Sequence, residues 1–222
     1  MAIYFNATFD ELAPMTRRLI QLCLGLALYG FSIGLMVRSG LGLDPWDVFH
    51  QGLSRRIDLS FGMIVNLVGA FVLLAWIPIR QRPGIGTIAN VFLIGTFADI
   101  SLWLMPAAAS LPVAAAMLAS GIFLNGVATG AYIGAGLGPG PRDGLMTGLV
   151  KRTGGSVRVV RTAIELIVLA SGWLLGGTVG IGTVAYALAI GPLVHRTLPF
   201  FAIEDRKAAV EPPCPEPCAQ LR

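Results

Sequence analysis

Six runs of apolar residues, each about as long as a bilayer is thick, make up most of this 222-residue chain. A helix needs about 20 apolar residues to cross a hydrocarbon layer of roughly 30 Å. Only 13% of the residues are charged and the mean hydropathy is +0.75, so too little polar surface is present to cover a water-soluble globule. We therefore predict an all-α polytopic membrane protein with six transmembrane helices, at residues 18–37, 61–79, 85–105, 111–133, 157–175 and 181–201.

These runs leave no room for a separate soluble domain. Residues 1–16 form a short N-terminal lead-in, residues 17–201 a single transmembrane domain, and residues 202–222 a disordered cytoplasmic tail rich in proline. The tail holds Cys214 and Cys218, and two thiols without a histidine or a further cysteine make a poor metal site. We predict neither a metal nor a cofactor.

A glycine- and proline-rich motif occurs twice, at a constant separation of 96 residues. The same ungapped register also pairs the Gly-Ile-Gly-Thr segments at residues 84–87 and 180–183. Several matches in one register indicate an internal duplication, with halves at about 17–105 and 111–201. The repeated spacing of the motif is carried by Gly40, Gly42, Pro45 and Asp47 in the first copy, and by Gly136, Gly138, Pro141 and Asp143 in the second.

Each copy of the motif predicts a helix start, because proline is favoured at the first helical position. The first of these helices is expected to run to about Ile57 and the second to about Thr153. At roughly 13 residues, or about 20 Å, both are too short to cross a bilayer upright. We therefore predict two short re-entrant helices. An aspartate at the third helical position, as at Asp47 and Asp143, is typical of a helix cap.

Three spans in each half is an odd number, so the two halves should be inverted relative to each other, as in many secondary transporters. The distribution of Lys and Arg is compatible with six spans and also with eight, but the length of the short helices favours six. We expect a multi-pass protein of the bacterial cytoplasmic (inner) membrane, with both termini in the cytoplasm.

Polar residues within the spans supply the substrate-binding hypotheses, because ionisable groups are costly in a membrane. Glu165 is the clearest of them, although Arg161 lies four residues earlier and is able to pair with it. Asn66 and Asn90 either hold helices together or line a polar path. With Asp47 and Asp143, these residues form the predicted site, and no residue is predicted to be catalytic.

Two segments carry a resemblance to a known family. They are Gly-Leu-Gly-Leu-Asp-Pro-Trp-Asp at residues 40–47 and Pro-Gly-Ile-Gly-Thr-Ile-Ala-Asn at residues 83–90, followed by Asp99. The chain resembles, over most of residues 17–201, the YczE family of bacterial membrane proteins, which is related to YitT. The resemblance implies an integral inner-membrane protein, and it provides no substrate or catalytic residue to transfer.

Two functions fit these features. The first is a small-solute transporter or permease component, in which the two helix starts face a central cavity. The second is an accessory protein that transports nothing and packs against a partner membrane protein. An enzyme is not expected, because no nucleophile and base lie at a useful spacing. Nucleic-acid binding is not expected either, because Lys and Arg flank the spans instead of forming a stripe. The expected partners are the lipid bilayer and either a second copy or another membrane protein.

Overall fold

The computed structural model describes residues 2–203, with side chains from residue 15 onward, and this part of the chain contains helices and no strands. The helices, in chain order, are α1 (Ala2–Ser39), α2 (Pro45–Ser54), α3 (Phe61–Leu74), α4 (Trp76–Ile79), α5 (Ile85–Leu104), α6 (Leu111–Gly134), α7 (Pro141–Thr153), α8 (Val157–Leu174) and α9 (Ile181–Phe201).

Five segments of the described chain are long and apolar enough to cross a membrane. They correspond to five of the six predicted spans, and the all-helical membrane class is thereby confirmed. The sixth predicted span is α8, which carries Arg158, Arg161 and Glu165 within its 18 residues and is not among the five. Whether α8 crosses the bilayer stays a prediction. The five segments are Met15–Ser39, Phe61–Ile79, Ile85–Leu104, Leu111–Gly134 and Ile181–Phe201.

The described residues include most of the predicted N-terminal lead-in and only the first two residues of the predicted tail. Helix α1 begins at Ala2, so the backbone of the predicted lead-in of residues 1–16 continues directly into the first apolar segment. Of the predicted tail, residues 204–222, with Cys214 and Cys218, lie outside the described residues.

Both short helices begin where the motif predicts. In α2, Asp44 is the N-cap and Pro45 the first helical residue; in α7, Gly140 and Pro141 hold these positions. Helix α7 ends at Thr153 as expected, but α2 ends at Ser54, three residues before the predicted Ile57. The ten residues of α2 span about 15 Å at 1.5 Å per residue.

Helix α1 lies at the centre of the bundle and packs against α5 and α6. Glycines allow these close approaches: a Cβ added at Gly30 would lie 2.6 Å from the Cβ of Phe97, and one at Gly126 would lie 2.7 Å from that of Leu193. Gly30 and Phe97 join α1 to α5, and Gly126 and Leu193 join α6 to α9. Gly126 lies 96 positions after Gly30, and Leu193 lies 96 positions after Phe97, so the two interfaces use equivalent residues.

The loops before the short helices are held by a pair of equivalent hydrogen bonds. The Gly182 amide donates to the Leu41 carbonyl, and the Gly86 amide donates to the Leu137 carbonyl, each at 2.8 Å. Each bond therefore ties a loop of one half to the first turn of a long helix in the other half. Gly42 and Gly138 follow the two carbonyls with φ of 121° and 122°, a conformation that favours glycine.

The short helices also pack across the halves. Helix α2 lies against α8, and α7 lies against α3 and α4. Trp76 of α4 is buried, and its indole N–H donates to the Pro141 carbonyl at 3.0 Å, which anchors the first turn of α7. The start of each short helix is thus placed by residues distant in the chain.

Candidate functional site

A cavity of about 400 Å³ lies between the two short helices. Residues of α1 to α3 and α5 to α9 line it, and its surface combines apolar side chains with charged and aromatic ones. The first residues of α2 and α7 face it together, because both loops are held by the long helices of the opposite half.

The N-cap and the first two turns of α2 contribute two buried carboxylates and a buried histidine. One oxygen of Asp44 caps the helix by accepting the backbone N–H groups of Trp46 and Asp47, at 2.8 and 3.0 Å. Asp47 Oδ1 instead contacts His50 Nδ1 at 3.1 Å. Asp44 is 2% exposed, Asp47 0% and His50 1%, so all three groups have been removed from solvent. Asp44 is the predicted N-cap, and the carboxylate of Asp47 at the third helical position contacts His50 instead of a backbone N–H group.

Arg142 of α7 supplies the positive charge nearest these carboxylates. Its guanidinium nitrogens lie 3.9 Å from Asp44 Oδ1 and 3.9 Å from Asp47 Oδ1. The guanidinium carbon also lies 4.9 Å from the centroid of the Trp46 ring, within the range of a cation–π contact. One arginine from the second half therefore faces two carboxylates from the first.

Hydrogen bonding leaves several buried atoms of this cluster unsatisfied. Asp44 Oδ2, Asp47 Oδ2 and His50 Nε2 have no partner among the described residues. Asp44 lies in the loop between α1 and α2, and its burial, with a contribution from nearby Asp47, raises the pKa of its carboxyl group to about 7 against the opposing effect of Arg142. Burial likewise raises the pKa of Asp47. Buried polar atoms without hydrogen-bond partners are uncommon in folded proteins, which makes this cluster a candidate functional site.

Three other lining residues, Tyr132, Asp143 and Tyr186, belong to hydrogen-bonded sets of aromatic and polar groups. The Tyr132 hydroxyl donates to Asp143 Oδ2 at 2.9 Å, and the Tyr186 hydroxyl donates to Asn125 Oδ1 at 3.0 Å. The amide of Asn125 donates in turn to Ser32 Oγ at 2.9 Å. Within residues 15–203, Asp143 forms no salt bridge. Its carboxylate accepts a hydrogen bond from the Tyr132 hydroxyl.

Glu165 and Arg161 form the ion pair that their spacing predicts, with Arg161 Nε donating to Glu165 Oε1 at 2.9 Å. Both residues also line the cavity, so the pair is part of its wall. The side chain of Arg161 is 52% exposed and that of Glu165 is 36% exposed, which limits the strength of the interaction.

The structure brings together most of the predicted site. Asp143, Glu165 and Asn90 line the cavity, and Asp47 lies directly behind Asp44 and His50. Asn66 is elsewhere: its side-chain oxygen accepts the Gly95 amide at 3.1 Å, and it holds α3 against α5.

Arg142, Tyr132 and His50 line the cavity and are not among the predicted site residues. Arg142 could have been noticed in the sequence, because it occupies in the second copy of the motif the position that Trp46 has in the first copy. No cluster of three or more His, Cys, Asp or Glu side chains suited to a metal ion occurs within the described residues.

An all-helical bundle with apolar spanning segments and an internal polar cavity defines a polytopic membrane protein. The chain belongs to the family described as a family of unknown function (DUF6198), which matches residues 16–199. The resemblance to YczE is confirmed: "Uncharacterized membrane protein YczE" of Bacillus subtilis is 34% identical over 195 residues, which cover 84% of this chain and 91% of the relative.

Two further relatives match similar lengths. An "Uncharacterized protein" of Haemophilus influenzae is 38% identical over 174 residues, covering 78% of this chain and 80% of its own. "Uncharacterized protein YyaS" of Bacillus subtilis is 27% identical over 183 residues, covering 79% of this chain and 90% of its own. No solved structure matches the chain.

Proposed function

We propose that the protein is an inner-membrane transporter, or the membrane component of a permease, and that the cavity is its solute site. The supporting observation is the buried group of Asp44, Asp47 and His50 at or directly behind the cavity wall, with the partly buried Arg142 facing the two carboxylates. Charged groups inside a membrane protein are costly, and a well-packed apolar core would serve stability better. The proposal includes no catalytic step.

The proposed topology has six spans, with α2 and α7 as re-entrant helices. Hydrogen bonds formed at the two ends of the α2 segment support this topology. Arg38, before α2, donates to the Leu102 carbonyl, and Ser60, after α2, donates to Asp99 Oδ2. Both acceptors lie close to the C-terminal end of α5, so the chain enters and leaves the α2 segment at one end of the bundle.

The proposed inverted repeat is supported by the direction of the paired helices. Contacts between Gln21 and Ala131, and between Ser32 and Asn125, indicate that α1 and α6 run antiparallel. Arg18 near the start of the first span donates to the Ile203 carbonyl after α9, so both ends of the transmembrane domain lie together. With the excess of basic residues at that end, we propose that both termini are cytoplasmic.

The topology is tested by labelling single cysteines in a variant that lacks the native ones. Arg55→Cys, at the end of α2, is expected to react from the same side of the membrane as Ala109→Cys, between α5 and α6. Arg82→Cys, between α4 and α5, is expected to react from the other side and serves as the reference. Labelling of Arg55→Cys from the side of Arg82→Cys would mean that α2 crosses the bilayer.

Transport is tested by uptake into proteoliposomes of a cation, a zwitterion and an anion: radiolabelled methylammonium, alanine and lactate. We expect uptake of at least one of them above that of protein-free liposomes. Asp47→Asn and Asp143→Asn should each lower this uptake by about tenfold or more, which corresponds to a loss of about 1.4 kcal/mol of interaction.

Asp99→Asn is the matched control, because Asp99 accepts the Gly62 amide at 2.7 Å and does not line the cavity. It should alter stability and leave uptake by the folded protein unchanged. Uptake of none of the three solutes by correctly folded protein would contradict the proposal and favour the non-transporting accessory role.

A further inference from the structure

We propose that the solute is a small organic cation with N–H donors, of the alkylammonium class, whose charged group binds at Asp44 and His50 and whose apolar part lies against α3 and α5. This inference rests on the proposed function only in taking the cavity as the solute site. Binding and transport are measured separately below.

The first support is the balance of charge. Four carboxyl groups surround the cavity, those of Asp44, Asp47, Asp143 and Glu165, against the two guanidinium groups of Arg142 and Arg161. Arg161 is matched by Glu165, and Arg142 is shared between Asp44 and Asp47. When all four carboxyl groups are ionised, negative charge exceeds positive charge by two, which favours a cation over an anion.

The second support is the chemical type of the unpartnered atoms. Asp44 and His50 line the cavity, and each is buried with one atom, Oδ2 and Nε2 respectively, that has no partner among the described residues. When the ionised Asp47 carboxylate accepts from His50 Nδ1–H, the ring proton lies on Nδ1 and Nε2 presents a lone pair. With Asp44 ionised, both atoms are hydrogen-bond acceptors, and a donor group that reaches them satisfies both.

The third support is the size and character of the remaining wall. A cavity of about 400 Å³ lies at the small end of the range for organic ligands, about 300–1,000 Å³. Its lining also includes a group of branched apolar side chains from α3 and α5, which suits a hydrocarbon chain: Val65, Val68, Val72, Val91 and Ile94.

Protons should compete with this cation. Burial raises the pKa of Asp44 to about 7, and a protonated Asp44 has no charge to offer an ammonium group, so affinity should fall as the pH falls through that value. The charged and titratable groups around Asp44 are Asp47 and His50 of α2, Tyr29 of α1, Tyr132 of α6, Arg142 and Asp143 of α7, and Tyr186 of α9.

The test measures ligand-induced stabilisation of the full-length protein in lipid nanodiscs. The probe is n-butylammonium chloride. Tetramethylammonium chloride provides a cation without N–H donors, and sodium butyrate an anion of similar size. We expect n-butylammonium to raise the midpoint of thermal unfolding in a saturable manner, more at alkaline than at acidic pH, and the other two salts to leave it unchanged.

Asp44→Asn should lower the affinity for n-butylammonium by at least about tenfold. Asparagine keeps the N-cap of α2, so this variant is expected to fold. His50→Phe, which removes the second acceptor at similar size, tests the same site independently. Asp99→Asn removes a carboxylate outside the cavity and should bind n-butylammonium as the unaltered protein does.

The outcomes separate this inference from the proposed function. Equal stabilisation by n-butylammonium in the unaltered protein and in both site variants, no stabilisation by it at all, or tighter binding of butyrate would overturn the inference. Saturable binding of n-butylammonium without uptake of any solute would support the inference and contradict transport. Uptake of lactate alone would support transport and contradict the inference.

Discussion

Gly172→Ala is expected to destabilise the protein severely, because α2 and α8 touch through their backbones at this point. A Cβ at Gly172 would lie 2.4 Å from the Phe49 amide nitrogen and 2.5 Å from the Phe49 Cα. These are main-chain atoms, which cannot move aside without displacing the whole of α2. Overpacking of this kind costs about 1–3 kcal/mol and occasionally more, and here it also disturbs the wall of the cavity.

The measurement is the midpoint of thermal unfolding, together with the fraction of protein that elutes as a single species in size-exclusion chromatography. Gly69→Ala is the matched control, because it makes the same change in α3, where a Cβ would meet no atom closer than 3.5 Å. Alanine is favoured over glycine in a helix, so this control should be neutral or stabilising. An equal effect at both positions would show that the α2–α8 contact is not as close as described.

Arg142→Met is expected to produce the second large effect. Methionine leaves Asp44 and Asp47 buried without the guanidinium that lies 3.9 Å from an oxygen of each. Leaving two buried carboxyl groups without this partly exposed partner costs about 1–3 kcal/mol, because they must stay uncompensated or take up a proton. The folded protein should therefore be recovered in low yield, with a lower midpoint of thermal unfolding.

A second substitution identifies the cause. Arg142→Met combined with Asp47→Asn removes one negative charge as well, so it should be more stable than Arg142→Met alone. Arg161→Met is the control, since Arg161 and Glu165 form a partly exposed pair and such pairs contribute about 0–1 kcal/mol. A double variant no more stable than the single one would show that Arg142 acts through packing against Trp46 and not through its charge.

The positions of the helices could be predicted closely, because they depend on local features of the chain. Apolar runs of bilayer length predict the five segments that are able to span, and proline after Asp44 or Gly140 predicts where the short helices begin. The end of α2 was predicted three residues too late, because the apolar pattern to Ile57 continues beyond the last helical turn.

Most of the residue types at the site could also be predicted, because ionisable side chains stand out in an apolar sequence. Asp47, Asp143 and Glu165 were predicted in this way, and all lie at or directly behind the cavity wall. Asn66 satisfies the same criterion and lies outside the cavity. A polar side chain within a span predicts burial against a partner, but it does not predict which partner.

Sequence was therefore sufficient for the membrane class, most of the helix boundaries and the paired helix starts, since each depends on neighbouring residues in the chain. Only the tertiary structure decided that Arg142 faces Asp44 and Asp47, that Gly172 admits the backbone of Phe49, and that the two loops meet at one cavity. These contacts join residues that are far apart in the chain. They arise from how the helices pack, and small residues allow the helices to approach closely.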